Sequence, residues 1–123
     1  MTELTARGSA IDALPDKWDG FMRMVRPGLG ITAFGANIMN LPPDYTTRSH
    51  DESGSGQEEL YVRLAGAGWI VLEDGGERLP LDEEHLVAVG PGTSRALASG
   101  PDGLRVLIVG SAPGRAYEPV SFG

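Results

Sequence analysis

Residues 58–97 read EELYVRLAGAGWIVLEDGGERLPLDEEHLVAVGPGTSRAL, and this stretch decides the fold. Apolar side chains alternate with polar ones along EELYVRL, a run rich in aromatic and β-branched residues follows in GWIVL, and Asp74-Gly75-Gly76 precedes a returning ERLPL. Period-2 alternation interrupted by a Gly-rich turn is the pattern of antiparallel strands. The stretch therefore predicts two strands, a hairpin turn and a return strand in an antiparallel meander.

The same pattern extends in both directions. Downstream, His85 to Val89, Arg95 to Ser99 and Leu104 to Ser111 read as three short strands, punctuated by Gly90-Pro91-Gly92, Gly100-Pro101-Asp102-Gly103 and Pro113-Gly114. Upstream, Phe21 to Arg26 and Ile31 to Leu41 read as strands on either side of Pro27-Gly28, the second stopped by Leu41-Pro42-Pro43-Asp44. HDESGSG, residues 50–56, reads as a flexible polar loop. Turn residues recurring every ~8–12 positions point to an all-β sandwich or barrel. The chain of 123 residues, with 18 glycines and 9 prolines, is long enough for one core and too turn-rich for a helical bundle.

Charge and cysteine content exclude several classes. Ten basic residues against 17 acidic ones give a net charge of −7, with the arginines scattered, so neither nucleic acid nor an anionic membrane surface is expected as a partner. No cysteine is present, which removes disulfides, thiolate metal sites and thiol nucleophiles and fits a reducing compartment. MTELTARGSAIDALPDK lacks the basic-then-apolar profile of a secretory signal, and a cytoplasmic location is expected. Phosphate loops, nucleophile elbows and dinucleotide fingerprints are not found in a strand-turn-helix setting.

Within residues 30–112 the sequence resembles the small single-domain bacterial cupins, a subgroup of undefined activity. Glu59 followed by six residues and Gly66 matches the second half of the first cupin motif, G-x5-H-x-H-x3–4-E-x6-G. Gly92-Thr93-Ser94-Arg95 matches the turn of the second motif, G-x5-P-x-G-x2-H-x3-N, with Pro91 one place late and Arg95 where the histidine belongs. The resemblance implies an all-β cupin double-stranded β-helix, a jelly-roll barrel with little helix. It implies one domain over residues 1–123, with an N-terminal arm at 1–20 that can exchange between subunits, a barrel at 30–112 and a tail at 113–123. It also implies pairing into a homodimer through a strand face.

Cupins hold a divalent metal with three histidines and a carboxylate pointing into the barrel. Here His50 is the one histidine near the first motif, Glu52 stands where a second is wanted, and Glu59 follows after six residues, so SGSGQE must loop out. One imidazole and two carboxylates suit iron, manganese, nickel or zinc; the bland alternative is that His50, Asp51 and Glu52 are solvated loop residues. His85, in LDEEHLVAVG, reads as a water-facing turn histidine without chemistry.

Along EELYVRL, period-2 logic alone sends Leu60, Val62 and Leu64 inward, whereas the family places Glu59 inside. Both hold if Glu59, Tyr61 and Arg63 line a polar pocket while the leucines and Val62 pack on another element or another chain. An inward Arg95 can pair with Glu59 and replace the charge of a metal, or its head can reach the rim. Arg63 faces the same choice, and Asn37 can donate to a ligand or be a satisfied buried amide. Met22, Met24 and Met39 read as adaptable wall residues.

Two functions follow. The first is a binding protein or metal-independent enzyme that holds a small molecule with Glu59, Tyr61, Arg63, Arg95 and Asn37. The second is a divalent-metal enzyme, such as a dioxygenase, isomerase, cyclase or decarboxylase, with His50, Glu52 and Glu59 as ligands. A third, purely structural dimer would have a closed barrel without a cavity.

Overall fold

A computed structural model describes residues 4–73 and 75–119. A 3-10 turn at Ile11–Ala13 leads to β1 (Asp16–Lys17), β2 (Met22–Met24), a short helix α1 (Val25–Leu29), β3 (Gly35–Leu41), β4 (Glu58–Leu72), β5 (Arg78–Leu81), β6 (Val87–Val89) and β7 (Arg95–Ser111). Every pairing is antiparallel; the strand order is β1-β2-β3-β7-β4-β5, and β6 also pairs with β4. The all-β jelly-roll expectation holds. The predicted hairpin turn falls partly outside the described residues, because Asp74 is among those not described.

The two longest strands correct the sequence reading. The predicted pair of strands within residues 58–72 is one strand, β4, and Arg95 to Ser99 joins Leu104 to Ser111 as one strand, β7. Both bend where they pair, with register shifts between Arg63 and Ala65 and between Gly66 and Gly68. Gly66 has φ +67, and a Cβ there would strike the Gly103 carbonyl of β7, so the corner needs a residue without a side chain. Gly-rich stretches that read as loops thus turn a continuous strand from one sheet layer to the other. Upstream, the predicted strand from Phe21 to Arg26 shortens to β2, and Pro27-Gly28 lies inside α1 rather than in a turn.

The interior of the barrel packs Leu41, Tyr61, Ile70, Leu81, Val87, Val89, Leu97, Leu104 and Val106. A second cluster of Leu14, Val25, Ala36 and Ile38 lies elsewhere, with Ile11, Leu29 and Ile31 packed against it, so the arm and α1 cover β3. Tyr61 is 1% exposed whereas Leu60 and Leu64 are 39% and 37% exposed. The Glu59–Tyr61 face of β4 therefore points inward, against the simple alternation rule, and the apolar face looks out. Among the described residues no helix is long and apolar enough to cross a membrane.

Candidate functional site

The segment 44–50, between β3 and β4, runs alongside the first half of β7. The amides of Thr47 and His50 donate to the carbonyls of Leu97 and Arg95 at 2.8 and 2.9 Å, and the amides of Arg95 and Ser99 donate back to His50 and Tyr45, each at 2.8 Å. His50 and Arg95 thus form a reciprocal backbone pair, which fixes both at one level of the barrel wall. The loop then crosses to the turn before β7, where the Glu52 amide donates to the Pro91 carbonyl at 2.9 Å. Residues 53–56 form a turn closed by amides of Ser55 and Gly56 on the Glu52 carbonyl, at 3.1 and 2.7 Å. The insertion that separates Glu52 from Glu59 is absorbed in this way, and β4 begins at Glu58 with Glu59 facing inward.

The result brings together two loop side chains and one from the start of β4. One ligating atom each from His50, Glu52 and Glu59 lies within 4.8 Å of the others. His50 Nε2 is 3.3 Å from Glu52 Oε2 and 3.9 Å from Glu59 Oε1. Metal–donor bonds of about 2.1 Å place neighbouring donors about 3 Å apart, so modest side-chain adjustment would close this set on a divalent cation. The donor chemistry fits as well: one neutral nitrogen and two carboxylates suit iron, manganese, nickel or zinc.

Each carboxylate is oriented by a hydroxyl. Ser55 Oγ donates to Glu52 Oε1 at 2.7 Å, and the Tyr61 hydroxyl donates to Glu59 Oε1 at 2.6 Å. Burial, reinforced by the Glu59 charge and hydrogen bond, pushes the Tyr61 phenol well above its ordinary pKa, so it remains a donor at neutral pH. Carboxylates restrained in this manner keep their free lone pairs directed at a ligand.

Arg95 is fully buried, at 0% exposure. Its Nη2 donates to the carbonyls of Gly90 and Val89 at 2.8 and 3.2 Å, while among the described residues Nε and Nη1 have no hydrogen-bond partner. The expected pairing with Glu59 is present only as a long contact, 4.0 Å from Nε to Oε1. An unpaired buried donor costs about 1–3 kcal/mol, and no described residue brings an acceptor to these two nitrogens.

These groups open onto a cavity of about 350 Å³ at the barrel mouth, whose walls include Asn37, Met22, Met39, Phe21, Tyr45 and Ile108. Asn37 stands in the wall, from β3 beside Ile108 of β7. Of the wall methionines, Met24 lies outside this cavity and lines a smaller cleft near Arg26. Arg63 is also corrected: it lies one inward position beyond Tyr61, roughly 7 Å along the strand, and does not line the cavity. Its Nε donates to the Gly66 carbonyl at 2.7 Å and its Nη2 is 3.8 Å from Glu83 Oε1, because the bulge at the corner presents an acceptor locally.

Several wall residues escaped sequence reasoning. Trp18 lines the mouth with φ +54 in the tight β1–β2 turn, 57% exposed. Tyr117, from the segment read as a tail, also lines it and packs so closely on Gly35 that a Cβ there would lie 2.5 Å from the phenol oxygen. Arg115 anchors the same segment by donating from Nη2 to the Ser55 carbonyl at 2.6 Å. The available signal was the aromatic in AYEP after the last strand, which has no strand partner to explain it.

No family profile matches this chain, and no curated protein matches it. Solved structures do. A cupin protein from Bacteroides fragilis superposes with a TM-score of 0.71 at 20% identity, over 98% of this chain and 93% of that one. An RmlC-like cupin from Desulfovibrio desulfuricans gives 0.65 at 17% identity, over 87% and 96%. A protein from Thermotoga maritima described as a predicted oxalate decarboxylase gives 0.59 at 21% identity, over 74% and 78%. With its antiparallel barrel and inward Glu59, the chain has the cupin fold.

Proposed function

We propose that this protein binds a small organic ligand at the mouth of its barrel, around a divalent cation held by His50, Glu52 and Glu59. The observation that carries the reading is the convergence of three ligating atoms within 4.8 Å across an insertion that would otherwise separate them. A bound cation would supply Lewis acidity and open coordination positions toward the cavity. The chain's own residues do the rest. Tyr61 and Ser55 hold the two carboxylates in place, the apolar wall receives the body of the ligand, and Arg95 carries a positive charge beside Glu59. At 21% identity the likeness to the Thermotoga maritima protein supports the fold and transfers no substrate.

A second reading keeps the pocket and omits the cation. It is favoured by Arg95, which stands at the position of the second-motif histidine and lies 4.0 Å from Glu59. Elemental analysis of tag-free protein after exposure to iron, manganese, nickel and zinc, with thermal stability alongside, separates the two. About one equivalent per chain, stabilisation by mass action, and loss of both in Glu59→Ala support the cation reading. Absence of retained metal and of stabilisation overturns it in favour of the second.

In either case we propose a homodimer built on the outward face of β4. Leu60, Val62 and Leu64 form an apolar row there, and the leucines are exposed in a single chain.

A further inference from the structure

The buried arginine narrows the class of ligand. We infer that the pocket takes an organic anion with an apolar body, its carboxylate received by Arg95 and its body by the aromatic and thioether wall. The inference rests on the cation reading above and deepens it.

Three observations converge. First, Arg95 is fully buried, lines the cavity and has two nitrogens, Nε and Nη1, without acceptors among the described residues. Its ion pair with Glu59 is long, 4.0 Å, and Glu59 Oε1 already accepts from Tyr61. With Glu59 engaged as a cation ligand, the guanidinium needs an acceptor from outside the chain, and charge-assisted bonds to a carboxylate are the strongest it can make.

Second, the local charge changes sign with loading. Two carboxylates against one guanidinium give the site one net negative charge, and a divalent cation turns this into one net positive charge. Arg48 at the rim adds to the positive side. Loading therefore moves the lining two charges toward positive and favours an anion in the filled site over the empty one. The overall charge of −7 opposes anions at long range, but salt screens it over about 10 Å, so the charges inside the cavity govern the bound state.

Third, the wall is apolar beyond this polar floor. Phe21, Met22, Met39, Tyr45, Leu97 and Ile108 surround a space of about 350 Å³, near the lower end of the roughly 300–1,000 Å³ of small-molecule sites. Such a space fits a compact acid with one ring or a short branched chain, and methionine walls adapt to its shape.

Calorimetric titration of the intact protein with phenylacetate and with its neutral isostere phenylacetamide tests this, on Zn²⁺-loaded and on chelator-treated samples. The acid is expected to bind loaded protein at least about tenfold tighter than the amide does, the low end of what a charge-assisted hydrogen bond contributes. That preference is expected to vanish after chelation and in Arg95→Met, and to persist at reduced affinity in Arg95→Lys. The wild-type comparison decides the matter even where a substitution at this buried position lowers stability. Retained zinc with equal binding of acid and amide overturns the inference and leaves the cation reading standing. Failure to retain about one zinc per chain overturns the cation reading and the inference with it.

Discussion

The chain contains two histidines, and the regions around them differ in a way that separates a site from a turn. Both side chains are about half exposed, and both lie beside carboxylates. His85 bonds Asp82 through Nδ1 at 2.7 Å, three residues away within one β-turn, and Glu84 donates its amide to the same carboxylate. His50 faces Glu52 and Glu59, one from its own loop and one from β4, and reaches them because β7 grips its backbone from the other side. Local partners within one turn hold His85 against Asp82. Partners gathered from separate elements leave ligand atoms pointing into a cavity.

The comparison is broken most severely at Glu59. Glu59→Gln keeps the shape and the Tyr61 contact but removes a charged ligand, and cation affinity is expected to fall by about a hundredfold or more, measured by metal titration. His50→Ala is expected to weaken the cation by at least about tenfold, whereas His85→Ala leaves it unchanged. Tyr61→Phe tests the support around the ligands: loss of the 2.6 Å bond frees Glu59, and a reduction of about tenfold in cation affinity is expected with little change in fold.

The outward leucines set a different contrast, between the covered face of β3 and the bare face of β4. Leu60→Glu with Leu64→Glu is expected to give a well-folded monomer by light scattering, because both positions lie outside the barrel core. A dimer unaffected by these changes would place its interface elsewhere.

The smallest expected effect lies at the His85 turn. The hydrogen bond from His85, aided by the Glu84 amide, lowers the Asp82 pKa. A carboxylate depressed in the folded state adds stability above its unfolded pKa of about 3.9. That stability is lost as the pH falls through the folded value. His85→Ala is therefore expected to lower stability slightly at neutral pH, to flatten the acid limb below about pH 4, and to converge with the wild type once Asp82 is protonated in both states. The turn is exposed, so the shift is small.

How far the sequence discloses this arrangement depends on what each residue's neighbours are. The strand character of residues 58–97 was legible because turns and alternation are local properties, whereas the division of 58–72 into two strands was not what the chain does. The joining of Arg95–Ser99 to Leu104–Ser111 was not, since Gly100 and Gly103 serve a bend in one strand as readily as a turn between two. Alternation along β4 identified the two faces and misjudged their direction; family resemblance supplied the direction through Glu59. His50, Glu52 and Glu59 were legible as candidates, but their convergence depends on backbone bonds to β7 that no local pattern encodes. Arg63 was assigned to the pocket because periodicity ignores depth along the barrel and the corner bulge that captures its side chain. Tyr117 and Arg115 went unread because they follow the last strand and act through tertiary contacts with Gly35 and Ser55.

The most direct test sets the two histidines side by side. Mn²⁺ is titrated into wild-type protein, His50→Ala and His85→Ala, and bound ion is counted from the electron paramagnetic resonance signal. One ion per chain in the wild type and in His85→Ala, with binding weakened at least about tenfold in His50→Ala, is the expected result. Equal binding by all three proteins, or none by the wild type, would contradict a cation centre built from His50, Glu52 and Glu59.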